Sequence, residues 1–170
     1  NKKIDLTFSF QHSLNDIEIT FYSCNFSLIK DKEEFIINFR CVNYVTEPSF
    51  QMNGIQKFIT INVMVKYDKN FQVLTQKKVL PKITSSDNVR AFYGVEDIRL
   101  FNFHNNILFT GAVAFDRYMD SKNGIMCGNY HEYVDENKLH VTAYKDRQKV
   151  EKNWVYFENK STLYVIYQWD

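Results

Sequence analysis

Only two prolines and five glycines punctuate this chain of 170 residues. That scarcity excludes collagen-like and Gly/Pro-rich linker sequences. No apolar run reaches the roughly 18 residues of a membrane-spanning helix, so no membrane span is expected. Charge of one sign is missing too. The formal net charge is +1, without the basic field that draws nucleic acid. Cysteine is sparse and odd in number. Cys24, Cys41 and Cys127 have no metal-type spacing and cannot form a full disulfide framework. Buried free thiols in a reducing, cytoplasmic compartment are the expectation. No P-loop, dinucleotide fingerprint or Ser/His/Asp order occurs, and the four histidines form no metal motif. Neither a metal nor a cofactor is therefore expected. The first residue is Asn1 rather than Met, which fits a fragment or a processed product.

Aromatics are what the chain has in abundance: 15 Phe and 11 Tyr, with 45% hydrophobic residues overall. This composition favours strands. Ile17–Phe21 alternates apolar and polar residues, the mark of a half-buried strand. Further strands are expected over Cys24–Ile29, Phe35–Tyr44, Phe58–Tyr67, Phe71–Leu80, Ile107–Phe115, Ile125–Val134, Leu139–Tyr144, Trp154–Phe157 and Leu163–Trp169. Polar turns separate them, including one at Asp135-Glu136-Asn137. Residues 1–16 show no clear period, and no segment shows a helical one. The expectation is an all-β chain of hairpins.

Three of these hairpins align without gaps: Ser27–Arg40, Arg99–Ala112 and Val155–Gln168. Two further strands lie between the first and second copies, and again between the second and third. The repeating unit is thus four strands, recurring every 55 to 70 residues or so. Serial four-stranded units are the signature of β-propeller blades. The division expected is a blade at 17–80, a blade at 93–144 and a half blade at 152–170, all within one partial propeller domain spanning 1–170. The remaining blades would come from the same or another chain. A sandwich of hairpins is the alternative, and it predicts no such register.

The densest chemistry lies in Gly94-Val95-Glu96-Asp97-Ile98-Arg99. Strict strand alternation would put Asp97 and Arg99 on one face and Glu96 on the other. An acid beside a cation can move a proton and hold an anion or a polyol; the same pattern also reads as a turn with a structural ion pair. Two residues before each aligned hairpin stand Asn25, Asp97 and Asn153, which a propeller would converge on its central channel. Lys152 precedes Asn153. Arg40 sits in an otherwise apolar run and needs a partner.

These residues resemble motifs of the five-bladed propeller carbohydrate enzymes: the β-mannoside phosphorylases and mannosidases, and the related β-mannosyltransferases. Gly94–Arg99 resembles their Gly-x-Glu-Asp-Pro-Arg motif, with Ile98 in place of proline. Lys152-Asn153-Trp154 resembles their Lys-Asn-Trp element. Cys24–Ser27 and Arg40–Tyr44 resemble Asn-Pro-Ser and Arg-x-x-Asn-Tyr, with Phe26 in place of proline. The resemblance implies inverting chemistry on a glycosidic bond, with Asp97 as general acid or base. It also implies that Asn25, Arg40, Arg99, Lys152 and Asn153 hold sugar or phosphate. The expected partners are a carbohydrate and either inorganic phosphate or a nucleotide sugar. One pocket carboxylate among several cations favours phosphate chemistry, unless Glu47, Asp116, Asp120 or Glu132 supplies a second acid. Tyr44, Tyr93 and Trp154 are candidates for a sugar-stacking platform. The alternative is a non-catalytic propeller module that binds a glycan or a protein.

Overall fold

The computed structural model describes residues 6–14, 16–45, 51–52, 57–81, 92–114, 123–138, 140–142 and 155–166. The first sheet runs β1 (Ser9–Leu14), β2 (Ile17–Asp31), β3 (Glu34–Val42), then, past the short pair β4 (Tyr44–Val45) and β5 (Gln51–Met52), β6 (Phe58–Tyr67) and β7 (Val73–Val79). Its strand order is β1-β2-β3-β6-β7, with β8 (Phe92–Tyr93) parallel to the start of β6. The second sheet has the order β12-β11-β10-β9, built from β9 (Glu96–Phe103), β10 (Asn106–Ala114), β11 (Asn123–Asn129) and β12 (His140–Thr142). A helix, α1 (Tyr130–Glu136), joins β11 to β12, and β13 (Val155–Asn159) with β14 (Thr162–Ile166) forms a final hairpin. All-β architecture is as expected, with the helix as its one exception among the described residues.

β3 and β6 are buried on both faces, which is why each reads as a continuous apolar run rather than an alternation. One face of the first sheet carries Phe21, Ile37, Phe39, Ile61 and Val63, closed over by Phe8, Phe10 and Leu14. The sheet curls far enough that its outer strands meet: Lys78 Nζ of β7 stands 4.0 Å from the Phe10 ring of β1. The other face packs Ile36, Met64 and Val79 against Ile98, Ile107, Phe109 and Met126 of the second sheet and against α1. The final hairpin touches β9 from beyond, with the Phe101 and Tyr156 rings 6.2 Å apart.

Between the two sheets lies a buried polar chain. The Tyr130 hydroxyl donates to Asn38 Oδ1 (2.8 Å), and Asn38 Nδ2 donates to Asn62 Oδ1 (2.9 Å). Asn62 Nδ2 in turn donates to the Val95 carbonyl (2.8 Å) and the Tyr133 hydroxyl (3.0 Å). Both asparagines are 1% exposed or less, so satisfaction of these groups fixes how the second sheet docks.

Three expectations need correction. The two strands expected over Ile17–Phe21 and Cys24–Ile29 are one, β2, which passes from one to the other through a bulge at Cys24. The strand expected over Ile125–Val134 stops at Asn129, whose Oδ1 caps α1 by accepting from the backbone N–H of His131 (2.9 Å) and Glu132 (3.4 Å). Tyr130, Tyr133 and Val134 then bury one helical face, and Asn137 ends the helix in the left-handed conformation at φ 51°. The expected turn at Asp135-Glu136-Asn137 is thus the end of this helix. Residues 9–14, expected to lack a period, form β1, with Phe10 and Leu14 inward and Ser9, Gln11 and Ser13 outward.

The gapless alignment of the three hairpins holds at their turns. Asp31 pairs Glu34, Phe103 pairs Asn106, and Asn159 pairs Thr162. The first loop residue is left-handed in all three, at Lys32 (φ 55°), His104 (φ 52°) and Lys160 (φ 48°), as tight hairpin turns require.

Asn62→Leu leaves Asn38 Nδ2 inside the core without its acceptor and strips the Tyr133 hydroxyl of its donor. It should destabilise the fold by about 3 kcal/mol, read as a lower urea midpoint with an unchanged slope. Burial pushes the Cys41 thiol up from 9.0 to about 12 and raises the Tyr130 and Tyr133 phenols. The folded state therefore holds these protons more tightly than the unfolded chain. Stability should be undiminished below about pH 9 and fall as pH climbs toward 12. Urea titrations across that range check the sign; stability that is flat or rising there would contradict it.

Candidate functional site

The leading strands of the two sheets, β2 and β9, run side by side, tied by side chains. The backbone N–H of Leu100 donates to Ser27 Oγ (3.0 Å), and Asn102 Nδ2 donates to the Lys30 carbonyl (2.8 Å). At the start of this seam, Arg40 reaches across from β3. Its Nη1 donates to Asp97 Oδ1 (2.9 Å) and its Nη2 to Glu96 Oε1 (2.5 Å) and the Tyr44 hydroxyl (3.2 Å). Asn25 Nδ2 lies 3.5 Å from the same Asp97 oxygen. Asn25 and Arg40 are cross-strand partners in the register of β2 and β3.

Adjacent carboxylates can both meet one guanidinium only where alternation fails. Between the pairs Arg99–Thr110 and Glu96–Ala112 the register of β9 slips, so Asp97 and Ile98 together oppose Gly111. Asp97 takes a left-handed backbone at φ 50°. This bulge turns Asp97 toward the side of Glu96 and overturns the expectation that the two point apart. Glycines make room for it. A Cβ on Gly111 would lie 2.4 Å from Val95 Cγ1, and one on Gly94, at φ 94°, would lie 2.2 Å from the Thr60 carbonyl oxygen. A second bulge sits opposite, where Cys24 is the extra residue between the pairs Ser23–Cys41 and Asn25–Arg40.

Asn25, Arg40 and Tyr44 of this cluster line a pocket of about 540 Å³, together with Tyr22, Cys24 and Val42; Glu96 and Asp97 stand behind Arg40 and are not among its lining residues. Exposure rises from 14% for the Arg40 side chain to 25% for Glu96 and 32% for Asp97. Although burial opposes its charge, Glu96, Tyr44 and Asp97 together raise the Arg40 guanidinium above its ordinary value. Burial raises the Tyr44 phenol and the Cys24 thiol. Cys24 is exposed as a residue, but its Sγ turns in to the Arg40 carbonyl at 3.6 Å. Two carboxylates and one guanidinium leave this cluster with a formal charge of −1, suited to accepting hydrogen bonds from hydroxyls.

Of the residues singled out in the sequence, Asn25, Arg40 and Asp97 meet. Arg99 is exposed further along β9. Lys152, Asn153 and Trp154 lie outside the described residues, as do Glu47, Asp116 and Asp120. Glu132 is away from the pocket, on α1, 3.3 Å from Lys138. Tyr93 packs beside the core of the curled sheet, with Lys57 Nζ 5.6 Å from its ring. Tyr44 does border the pocket. Glu96 is the member that alternation misplaced. Asn43, within the Arg-x-x-Asn-Tyr element, is structural: it is fully buried, its Oδ1 accepts from the Ile59 N–H and its Nδ2 donates to the Lys57 carbonyl, both at 2.9 Å. Among the described residues, no group of three or more His, Cys, Asp or Glu could hold a metal ion. No helix of the described residues is long and apolar enough to cross a membrane.

No family model, curated protein or solved structure matches the chain.

Asp97→Asn should cost less than about 1 kcal/mol, because asparagine tolerates a left-handed backbone and Glu96 still holds Arg40. Arg40→Met leaves two carboxylates facing each other and should cost about 2 kcal/mol. That is below the loss for a fully buried pair, because both acids retain contact with water. Paired urea titrations check the order; an Asp97→Asn loss as large as that of Arg40→Met would make Asp97 a structural residue.

Proposed function

We propose that the chain is part of a carbohydrate-active enzyme that makes or breaks a glycosidic bond, with Asp97 as its general acid or base. The observation that carries this reading is the meeting of Asn25, Arg40 and Asp97, from three strands, beside an open pocket that Asn25 and Arg40 line. Short motifs far apart in sequence supply these groups, and they are the polar residues that the motif resemblance singles out. The architecture proposed is a partial five-bladed β-propeller. Its support is the succession of β2-β3-β6-β7 and β9-β10-β11-β12, followed by a third hairpin, with β2 and β9 adjacent and β13 reaching β9. β1 departs from that plan: it extends the first sheet and curls it.

In this reading Asp97 exchanges a proton with the glycosidic oxygen or an attacking hydroxyl. Asn25 and Tyr44 orient the sugar. Arg99 and Lys152, which the motif resemblance assigns to sugar or phosphate, hold the phosphate. The pairing of Arg40 also favours a second reading. A guanidinium whose two terminal nitrogens are engaged from within the protein fits a non-catalytic module that binds a glycan through carboxylate and amide groups.

Thermal unfolding with inorganic phosphate, mannose, mannose 1-phosphate and GDP-mannose separates these readings, because a ligand selective for the folded state raises the midpoint. Stabilisation by phosphate or mannose 1-phosphate, lost in Arg99→Ala, is the expected outcome for a phosphorylase; stabilisation by GDP-mannose alone indicates a transferase. Turnover should vanish in Asp97→Asn. Binding without any product, retained in Asp97→Asn, would establish the module instead. A well-folded sample indifferent to every compound would count against both.

A further inference from the structure

The two acids beside Arg40 are not equivalent. Arg40 Nε is buried and has no hydrogen-bond partner among the described residues. Among the described residues, the guanidinium is therefore hydrogen-bonded only at its two terminal nitrogens. Nη2 is engaged twice, by Glu96 Oε1 at 2.5 Å and the Tyr44 hydroxyl at 3.2 Å. Tyr44 is itself braced, its ring edge-on to Phe58 with centroids 5.3 Å apart. Nη1 meets Asp97 alone among these residues, and Asp97 is the more exposed of the two acids. A planar fork held firmly along one edge presents its other edge in a fixed direction.

We propose that Glu96 is the positioning residue of this site: with Tyr44 it fixes the Nη2 edge of Arg40 and so aims Nη1 at Asp97. Asp97 is then the acid that can trade part of its contact for a ligand hydroxyl, while Glu96 stays in place. The role rests on the glycoside-processing reading for its purpose, but its geometry can be tested without any ligand. Glu96 would act through Arg40 and Asp97 and would touch no reacting atom.

The primary readout is hindered rotation of the Arg40 guanidinium, seen as separate NMR signals for Nη1 and Nη2 in the intact chain. Separate signals are expected in the wild type and in Asp97→Asn. They should merge in Glu96→Ala and be restored in Glu96→Gln, whose carbonyl still accepts a hydrogen bond. Should Glu96→Ala fail to fold, Tyr44→Phe, which removes one oxygen, should broaden the Nη2 signals instead. Signals that stay separate without Glu96, or that merge only without Asp97, would overturn the proposal. A second readout uses mannose as the probe. Glu96→Ala should weaken its apparent affinity about tenfold, the effect of losing one hydrogen bond to a charged group, with recovery in Glu96→Gln. If mannose fails to bind the wild type, that count goes against the functional reading, and the Arg40 signals still decide the role of Glu96.

Discussion

Polar groups buried between the two sheets are the constraint on which the rest of the structure depends. β3 and β6 are covered on both faces, yet they carry Asn38, Arg40 and Asn62 toward the second sheet. Each of these groups is costly in an apolar setting unless paired. All find partners in the stretch from Val95 to Tyr133: a carbonyl, two phenols and two carboxylates. Apolar contact among Ile36, Met64, Ile98, Phe109 and Met126 supplies the driving force. That force is non-directional, so the hydrogen bonds are what select one docking arrangement. Along this interface the chemistry changes from neutral and sealed at the asparagines to charged and partly wet at Arg40. The candidate site is the wet end of a structural network.

Much of the architecture was legible because the hairpins repeat. Three turns separated by long stretches of sequence share a register, and each needs its first loop residue left-handed. Asparagine and histidine tolerate that conformation well; lysine does so less readily, and it stands in two of the three turns. The repeat revealed the turns where single-residue propensity would have been weak. β1 was also visible in principle, since Phe8, Phe10 and Leu14 alternate with Ser9, Gln11 and Ser13. The alternation was obscured by the unpatterned residues before it. The helix was hidden for a different reason. Seven residues contain only one i, i+3, i+4 set, Tyr130, Tyr133 and Val134, and aromatic and β-branched residues suit a strand equally well. Asn129 as N-cap was the signal to weigh.

The site was half legible. Asn25, Arg40 and Asp97 stood out because a polar residue before or within an apolar strand demands an explanation. Glu96 was misplaced because alternation assumes an unbroken ladder. At Asp97 the ladder breaks, and no local residue pattern announces it: the slip depends on Gly111 in the facing strand and on Gly94, where backbone passes close to Thr60. These glycines are far apart from one another in the pairing and meaningful only in three dimensions. Asn43 and Tyr44 show the converse. They are neighbours in one motif, yet one holds strands together and the other faces the pocket.

Two register slips meet at Arg40. Cys24 is bulged beside Asn25, the cross-strand partner of Arg40, and the left-handed Asp97, in the other bulge, accepts a hydrogen bond from Arg40. Bulges re-aim side chains at the expense of ladder hydrogen bonds, and such features persist only where the surroundings over-determine them. Here the surroundings do so: two sheets are locked through Asn62 and Tyr133, and β2 is tied to β9 through Ser27. If the only role of Arg40 were to join β3 to β9, one carboxylate on a regular strand would suffice, with no left-handed residue and no slip. The bulge instead brings a second, more exposed carboxylate to Arg40, which lines the pocket. That extra acid is the group the proposed function would use, as an acceptor of hydrogen bonds from a polyhydroxylated ligand.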